Sequence, residues 1–290
     1  MPETSKLPED RTVLRSYEDW QKEGKPGLLC DFHTHSRWSD GALSLADVIR
    51  FYGENGFDAI ALSDHLYVRN ELLSRLGPKL FKNKLYAMFT KAECAQYLAE
   101  MQAMVRFAQE AYEMIVIPAV ELSRDIFFRP SWGAHIVALD VKEYIDPNIS
   151  PEEMLQAIHA QGGVSIAAHS FPKQIKNWRD IFLSGVRGTT YLTNHLDTCN
   201  ALVDAWEIGS GKQPIASAIQ YAQIAGSLIG NSDFHVRSDI CGWKTILRCG
   251  KTKKEIAPHI QSFDILSNYR RISWFFQSKS LAEHFRSGLF

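Results

Sequence analysis

Two histidines stand one residue apart in Asp31-Phe32-His33-Thr34-His35-Ser36, at the end of an apolar run, and Ser39-Asp40-Gly41 follows closely. Alternate side chains of a β-strand share a face, so His33 and His35 point the same way and can grip one metal ion. The design recurs down the chain. Leu62-Ser63-Asp64-His65, Val120-Glu121, Ala167-Ala168-His169 and Asn231-Ser232-Asp233-Phe234-His235 each close a short apolar run with ionisable side chains. His135 differs in standing at the start of its run, Ile136-Val137-Ala138-Leu139. Imidazole suits zinc, iron and manganese, while carboxylate suits harder ions and bridges pairs of them. No cysteine falls in the set, which argues against a thiolate zinc site.

Groups placed where strands end need an architecture that gathers strand ends. A parallel barrel does this, because its strands converge at one C-terminal mouth. The apolar runs predict seven strands: Leu28–Phe32, Phe57–Leu62, Ile115–Val120, His135–Leu139, Val164–Ala168, Leu202–Ile208 and Ser227–Gly230. Helices are expected between them. Ser44 caps one that ends at Asn55-Gly56, Ala92 to Met114 is apolar at helical spacing, Pro151 opens one that ends at Gly162-Gly163, and Gln213 to Ala225 forms another. Alternating strands and helices imply an α/β domain with a parallel sheet, closed or nearly closed. Residues 1–26 read as a loose arm with one helical turn near Tyr17 to Trp20, and residues 27–290 as a single domain. Within it, 67–114 reads as an insertion or lid over the mouth. The tail carries Ile272-Ser273-Trp274-Phe275-Phe276, expected as a buried closing element, with an oligomer contact as the alternative.

Composition bounds the partners. The chain has 290 residues and a formal net charge of −1, which leaves no electrostatic footprint for duplex nucleic acid. Five cysteines without a C-x-x-C pair read as free thiols in a reducing compartment. No apolar leader and no membrane-length run is visible, so a cytoplasmic protein is the expectation.

The motifs resemble those of the PHP (polymerase and histidinol phosphatase) superfamily of metal-dependent phosphoesterases. Asp31 to Gly41 is similar to the first motif, Ser63-Asp64-His65 to the second, Glu121 and His169 to the next, and Ser232 to His235 to the last. The resemblance implies a distorted, TIM-barrel-like (β/α)7 domain with three divalent ions, Zn, Mn or Fe. It also implies a partition of ligands. His33, His35, Glu121 and Asp233 hold one ion, Asp40, His65 and His235 a second, and Glu121, His135 and His169 a third. Asp31, Asp64 and Glu207 are placed to orient ligand imidazoles, since a metal-bound histidine usually donates its other N–H to an acceptor. His159, His195, His259 and His284 lie off the strand-end pattern and read as structural.

The activity so implied is hydrolysis of a small phosphate ester by a metal-bound hydroxide, because coordination lowers the pKa of water to about 7. Phosphate also wants a cationic grip. Arg37 and Arg237 are the first candidates, with Arg124, Arg129 and Lys173 behind them, and Asp64 is a candidate proton donor. Tyr67, Phe81, Tyr86 and Phe89 are available to stack on a base or sugar. The chain departs from nucleotide-cleaving members in carrying Ala168-His169-Ser170-Phe171-Pro172-Lys173 where they show A-H-P-x-R. Rival readings are an exonuclease-like phosphodiesterase on short oligonucleotides, a non-catalytic metal-binding module, and an amidohydrolase. The last expects a bridging lysine at the fourth strand, and none stands between His135 and Asp140.

Overall fold

The computed structural model describes residues 12–16, 22, 24, 27–67, 90–124, 132–170, 190–211, 224, 227–247, 249, 251–254, 256 and 272–276. Strands and helices alternate through most of it. They are β1 (Thr12–Ser16), β2 (Leu28–Thr34), α1 (Leu45–Glu54), β3 (Ala59–Leu62), β4 (His65–Tyr67), α2 (Lys91–Tyr112), β5 (Ile115–Arg124) and β6 (Ala134–Leu139), then α3 (Pro151–Ala160), β7 (Val164–Ala167), α4 (Tyr191–Asn194), α5 (Leu196–Cys199), β8 (Ala205–Ser210), β9 (Ser227–Asn231), β10 (Thr245–Leu247) and β11 (Ile272–Phe276). Each of the seven expected strands is present.

The strands form one sheet in the order β1-β11-β10-β2-β3-β5-β6-β7-β8-β9, with β4 added on β5. The sheet curls until the segment after β9 returns against β2, while β10, β11 and β1 continue beyond β2. The seam between β9 and β2 is thin: Thr34 and Phe234 make an isolated parallel bridge, and His35 N donates to Phe234 O at 2.8 Å. The architecture is therefore a nearly closed, TIM-barrel-like α/β barrel.

Two departures from a uniform parallel barrel matter. First, β6 runs antiparallel to both β5 and β7. Its N-terminal end, not its C-terminal end, lies at the mouth. This is why His135 opens its strand while the other site residues close theirs. Second, the sequence-expected loose arm contains β1, which pairs in parallel with β11, and β11 in turn pairs antiparallel with β10. The partner of Thr12–Ser16 lies at the far end of the chain, so local sequence carries no sign of the pairing. The tail segment expected as a closing element is thus a strand of the sheet. Tyr17 to Trp20 and most of Gln213 to Ala225 lie outside the described residues.

Local sequence explains the helices. Ser44 accepts from Asp47 N and caps α1, and Asn55-Gly56 ends it with Gly56 at φ 74°. Thr90 with Glu93, and Ser150 with Glu153, make reciprocal capping boxes on α2 and α3. In the 67–114 segment, residues 91–112 are a helix that buries Cys94, Tyr97 and Met101 in the main core, and 68–89 lie outside the described residues.

The core has two layers. Ile60, Leu62, Val116, Val120, Ile136 and Trp206 face outward against α1, α2 and α3. Phe32, Ala61, Ile117, Ala119, Val137, Ile166, Ala205 and Ile229, all from strands, fill the barrel. Strand alternation continues the inner row into Glu121, His135 and Glu207. The register between β2 and β3 shifts between Asp31 and Thr34, a bulge that re-aims His33 inward beside Phe32. The described cysteines, all five, are free thiols. Among the described residues no helix is long and apolar enough to cross a membrane.

Candidate metal centre

The mouth brings together all nine expected ligands: His33, His35, Asp40, His65, Glu121, His135, His169, Asp233 and His235. They form four overlapping groups, His35/Asp40/His65/His235, His33/Glu121/His169, His33/His35/Asp233 and His65/Glu121/His135. Glu121 sits at the centre. Its Oε2 lies 3.3 Å from His33 Nε2, 3.5 Å from His35 Nε2 and 2.8 Å from His65 Nδ1. Its Oε1 lies 2.8 Å from His135 Nδ1 and 3.3 Å from His169 Nε2. Asp233 Oδ1 stands 3.6 Å from His33 Nε2 and 3.5 Å from His35 Nε2. Asp40 meets His235 Nε2 at 3.1 Å and His65 Nε2 at 3.6 Å. The geometry shares histidines more widely than the expected partition, since His65 leans on Glu121 as well as Asp40.

The donor set fits cations. His33 Nε2, both ring nitrogens of His35 and Glu121 Oε2 are buried, and apart from the imidazole–carboxylate approaches just given they find no hydrogen-bond partner among the described residues. Buried polar atoms are rarely left so, because each costs about 1–3 kcal/mol. Tetrahedral ligands about 2.0–2.2 Å from one ion stand about 3.3–3.6 Å apart. The separations among His33, His35, Glu121 and Asp233 match that spacing. The cluster therefore suits divalent metal ions. Two of its members, His169 at φ 30° and Asp233 at φ 50°, hold left-handed backbone that costs about 1–3 kcal/mol each and gathers at functional sites.

The electrostatics agree. Burial lowers the His33 pKa, yet Glu207, Glu121 and Asp233 outweigh it and hold the ring well above its ordinary value. Burial likewise opposes His235, but its contacts with Asp40 and Asp233 raise it to about 9. His35, buried and beside His235 and His65, falls to about 3. Burial works to raise Glu121, and the surrounding imidazoles pull it well below the carboxylate range instead. Without metal, the excess of buried carboxylate is thus answered by protons. Cations must displace them, so metal affinity rises with pH. Below about pH 9 the proton on His235 by itself predicts about tenfold weaker apparent affinity per pH unit, and the protons held on His33 and His65 steepen that dependence. Zn(II) titrations at pH 6.5 and 8.5 check this; a flat affinity would show that His235 carries no displaced proton.

Neighbouring residues orient the ligands. Glu207 faces His33 Nδ1 at 3.1 Å, as expected of a strand-end acceptor. It also takes His169 N at 2.8 Å and Asn231 Nδ2 at 3.0 Å. Ser123 Oγ lies 2.7 Å from His65 Nδ1. Sequence reading missed Ser123 and Asn231. Ser123 had a signal, lying two residues beyond Glu121 on the same strand face.

Asp64, expected as a proton donor or orienting group, turns both oxygens to the loop instead. It accepts from Ser36 N and Oγ, and from Ser39 N and Oγ, at 2.6–3.0 Å. That loop carries Asp40 and closes at Gly41, where an added Cβ would lie 2.5 Å from His35 O. We predict that Gly41→Ala costs about 1–3 kcal/mol, the scale of overpacking. Urea unfolding of the metal-free variant checks it, with a weakened metal affinity as the accompanying sign that His35 and Asp40 have moved.

The expected phosphate cations are engaged locally. Arg37 Nε donates to Ala42 O at 2.8 Å, and the Arg237 guanidinium lies 5.1 Å over the Phe51 ring. Tyr67 tilts against His65 with ring centroids 4.7 Å apart. Arg129, Lys173, Phe81, Tyr86 and Phe89 lie outside the described residues. His159 bonds Asp204 at 2.9 Å and His195 stacks on Tyr191, both away from the cluster.

Among solved structures, a two-domain protein of Bacteroides vulgatus containing a predicted PHP-like metal-dependent phosphoesterase superposes with a TM-score of 0.56, covering 96% of this chain and 73% of that one at 16% identity. The chain has a PHP-like fold. Two further structures align over 71% of this chain and 87% of their own. One, from Bifidobacterium adolescentis and assigned as a metal-dependent phosphoesterase, has a TM-score of 0.43 at 13% identity. The other, an amidohydrolase from Chromobacterium violaceum with bound sulfate and no metal, has 0.44 at 17%. No family model matches the sequence, and no curated protein does. The PHP-like barrel accounts for the strand count and for the gathering of strand-end side chains at one mouth.

Proposed function

We propose that this protein hydrolyses a small phosphate ester at a centre of up to three divalent ions. The observation that carries the reading is the mouth itself: nine ligand-type residues with buried imidazole nitrogens and a central carboxylate. In this reading His33, His35, Glu121 and Asp233 hold one ion, Asp40, His65 and His235 a second, and Glu121, His135 and His169 a third. Bound ions of this kind acidify water and neutralise phosphoryl charge.

The chain's own groups do the rest. Glu121 reaches five imidazoles and sets the spacing between ion positions. Glu207 holds His33 with its Nε2 turned to the centre. Asp64 fixes the loop that presents Asp40. Arg37 and Arg237, both exposed and each two residues beyond a ligand histidine in sequence, are the candidate cations for the substrate phosphate. The net charge of −1 favours a small ester over a long polyanion.

The test combines metal analysis with a panel of sugar phosphates, nucleotides, histidinol phosphate and short oligonucleotides. Wild-type protein is expected to carry metal and turn over at least one monoester. His35→Ala and Asp233→Ala are expected to lose both. Full turnover by a variant that binds no ion would sink the proposal.

A further inference from the structure

Beneath the ligand cluster lies a second buried charged group that the proposed chemistry does not use. Lys244, between Trp243 and the start of β10, is buried. Lysine is almost never found so deep without a partner. Its Nζ lies 3.1 Å from Asp31 Oδ2 and donates to Trp243 O at 3.1 Å. Asp31 is itself fully buried. Its Oδ2 also accepts from Tyr52 Oη at 2.7 Å and from Ser232 Oγ at 2.5 Å, and its Oδ1 accepts Ser232 N at 3.0 Å. Tyr52 Oη and Ser232 Oγ stand 3.1 Å apart, which closes the ring of contacts.

The place of this cluster gives it meaning. Asp31 stands two residues before His33 on β2, and Ser232 immediately precedes Asp233. The carboxylate therefore ties together the two segments that supply His33, His35, Asp233 and His235. They meet at the barrel's thin seam, where the backbone contributes only the Thr34–Phe234 bridge and the bonds beside it. Asp233 also holds a left-handed backbone, which persists only where neighbours impose it. Tyr52 brings in α1, and Lys244 brings in β10. Four elements thus converge on one carboxylate that is not among the clustered ligand-type residues.

We infer that the Lys244–Asp31 pair is a positioning device, a buried clamp that sets the distance between the His33/His35 and Asp233/His235 halves of the metal centre. Lys244 supplies the charge that lets Asp31 stay in place accepting from Ser232 and Tyr52. The inference rests on the metal-centre reading. It predicts that the clamp acts on cation affinity and ligand geometry, beyond any contribution to folding.

The experiment uses the full chain and Mn(II) or Co(II) alone. Dissociation constants for Mn(II) and the Co(II) visible spectrum are measured for wild type, Lys244→Met and the double variant Asp31→Asn/Lys244→Met, with melting followed in chelator. The double variant removes both charges, so no lone buried ion remains to prevent folding. The asparagine that replaces Asp31 presents one acceptor oxygen where three donors converge. Mn(II) affinity about tenfold weaker in both variants, with an altered Co(II) band, is the expected result. If Lys244→Met does not fold, the double variant decides alone. Wild-type affinity and spectrum in a folded double variant would overturn the inference and leave the pair a purely structural one. A wild-type chain that binds neither Mn(II) nor Co(II) would instead overturn the metal-centre reading beneath it.

Discussion

Glu121→Gln is expected to strip the centre of metal and to abolish phosphoester turnover. The substitution is nearly isosteric, so its effect is electrostatic. Five imidazole nitrogens lie 2.8–3.5 Å from the two Glu121 oxygens. A glutamine would remove the bridging charge and aim an N–H₂ at atoms that must offer lone pairs to a cation. Loss of one preorganised oxyanion-hole donor costs about 10²–10³-fold in rate, and on the proposed assignment Glu121→Gln would also remove a ligand shared between ion positions. Elemental analysis and kinetics on the same preparation check both. The cation-free protein gives an independent readout. There Glu121 is the counter-charge for His33 and His65, whose rings it helps to raise. Breaking a buried pair by deleting one partner costs about 3–5 kcal/mol, so the variant should also melt earlier in chelator. A Glu121→Gln protein with its full complement of metal would show that Glu121 is no ligand.

The strand-end histidines and carboxylates were legible because chemistry and periodicity coincide at them. An apolar run forces a strand inside, and an ionisable group at its end has only the mouth to face. Glu207 was legible for the same reason, as the acid that extends the inner row of β8. What escaped depends on pairing between distant segments. The reversal of β6 is set by its partners on both sides, and only the odd placement of His135 at the start of its run hinted at it. The bulge that turns His33 inward beside Phe32 is a register effect between β2 and β3, invisible to a period-two reading of β2 alone. Asp64 stands beside His65 in sequence, but it lies in the Ser63-Asp64 link between β3 and β4, where no strand period fixes the direction of its side chain. Its carboxylate serves the Ser36–Ser39 loop across the sheet. Nothing in the sequence around Lys244 marks it as buried. Only the folded barrel puts Asp31 against it.

The same logic of donors and acceptors makes Glu207→Gln the second variant of large expected effect. Among the described residues, the hydrogen-bond partners of Glu207 are two N–H donors and the His33 ring, whose Nδ1 can donate. Oε1 takes the Asn231 amide at 3.0 Å, Oε2 takes the His169 backbone N–H at 2.8 Å, and both face His33 Nδ1, at 3.1 and 3.4 Å. A glutamine has one acceptor oxygen. With its N–H₂ toward His169 it opposes the backbone N–H; flipped, it opposes the Asn231 amide. Asn231 cannot flip to compensate, because its Oδ1 already accepts Phe32 N at 2.8 Å. An N–H₂ facing His33 would also favour the tautomer with its proton on Nε2, the nitrogen that must meet the ion. The expected loss is about 10–100-fold in metal affinity, with about 1–3 kcal/mol of stability for the donor left unpaired. Metal titrations separate this from Glu121→Gln. The Glu207 variant keeps every ligand atom, so saturating metal should restore much of its turnover, whereas Glu121→Gln should stay inactive at any concentration. Equal, unrecoverable loss in both would mean that Glu207 coordinates an ion directly rather than orienting His33.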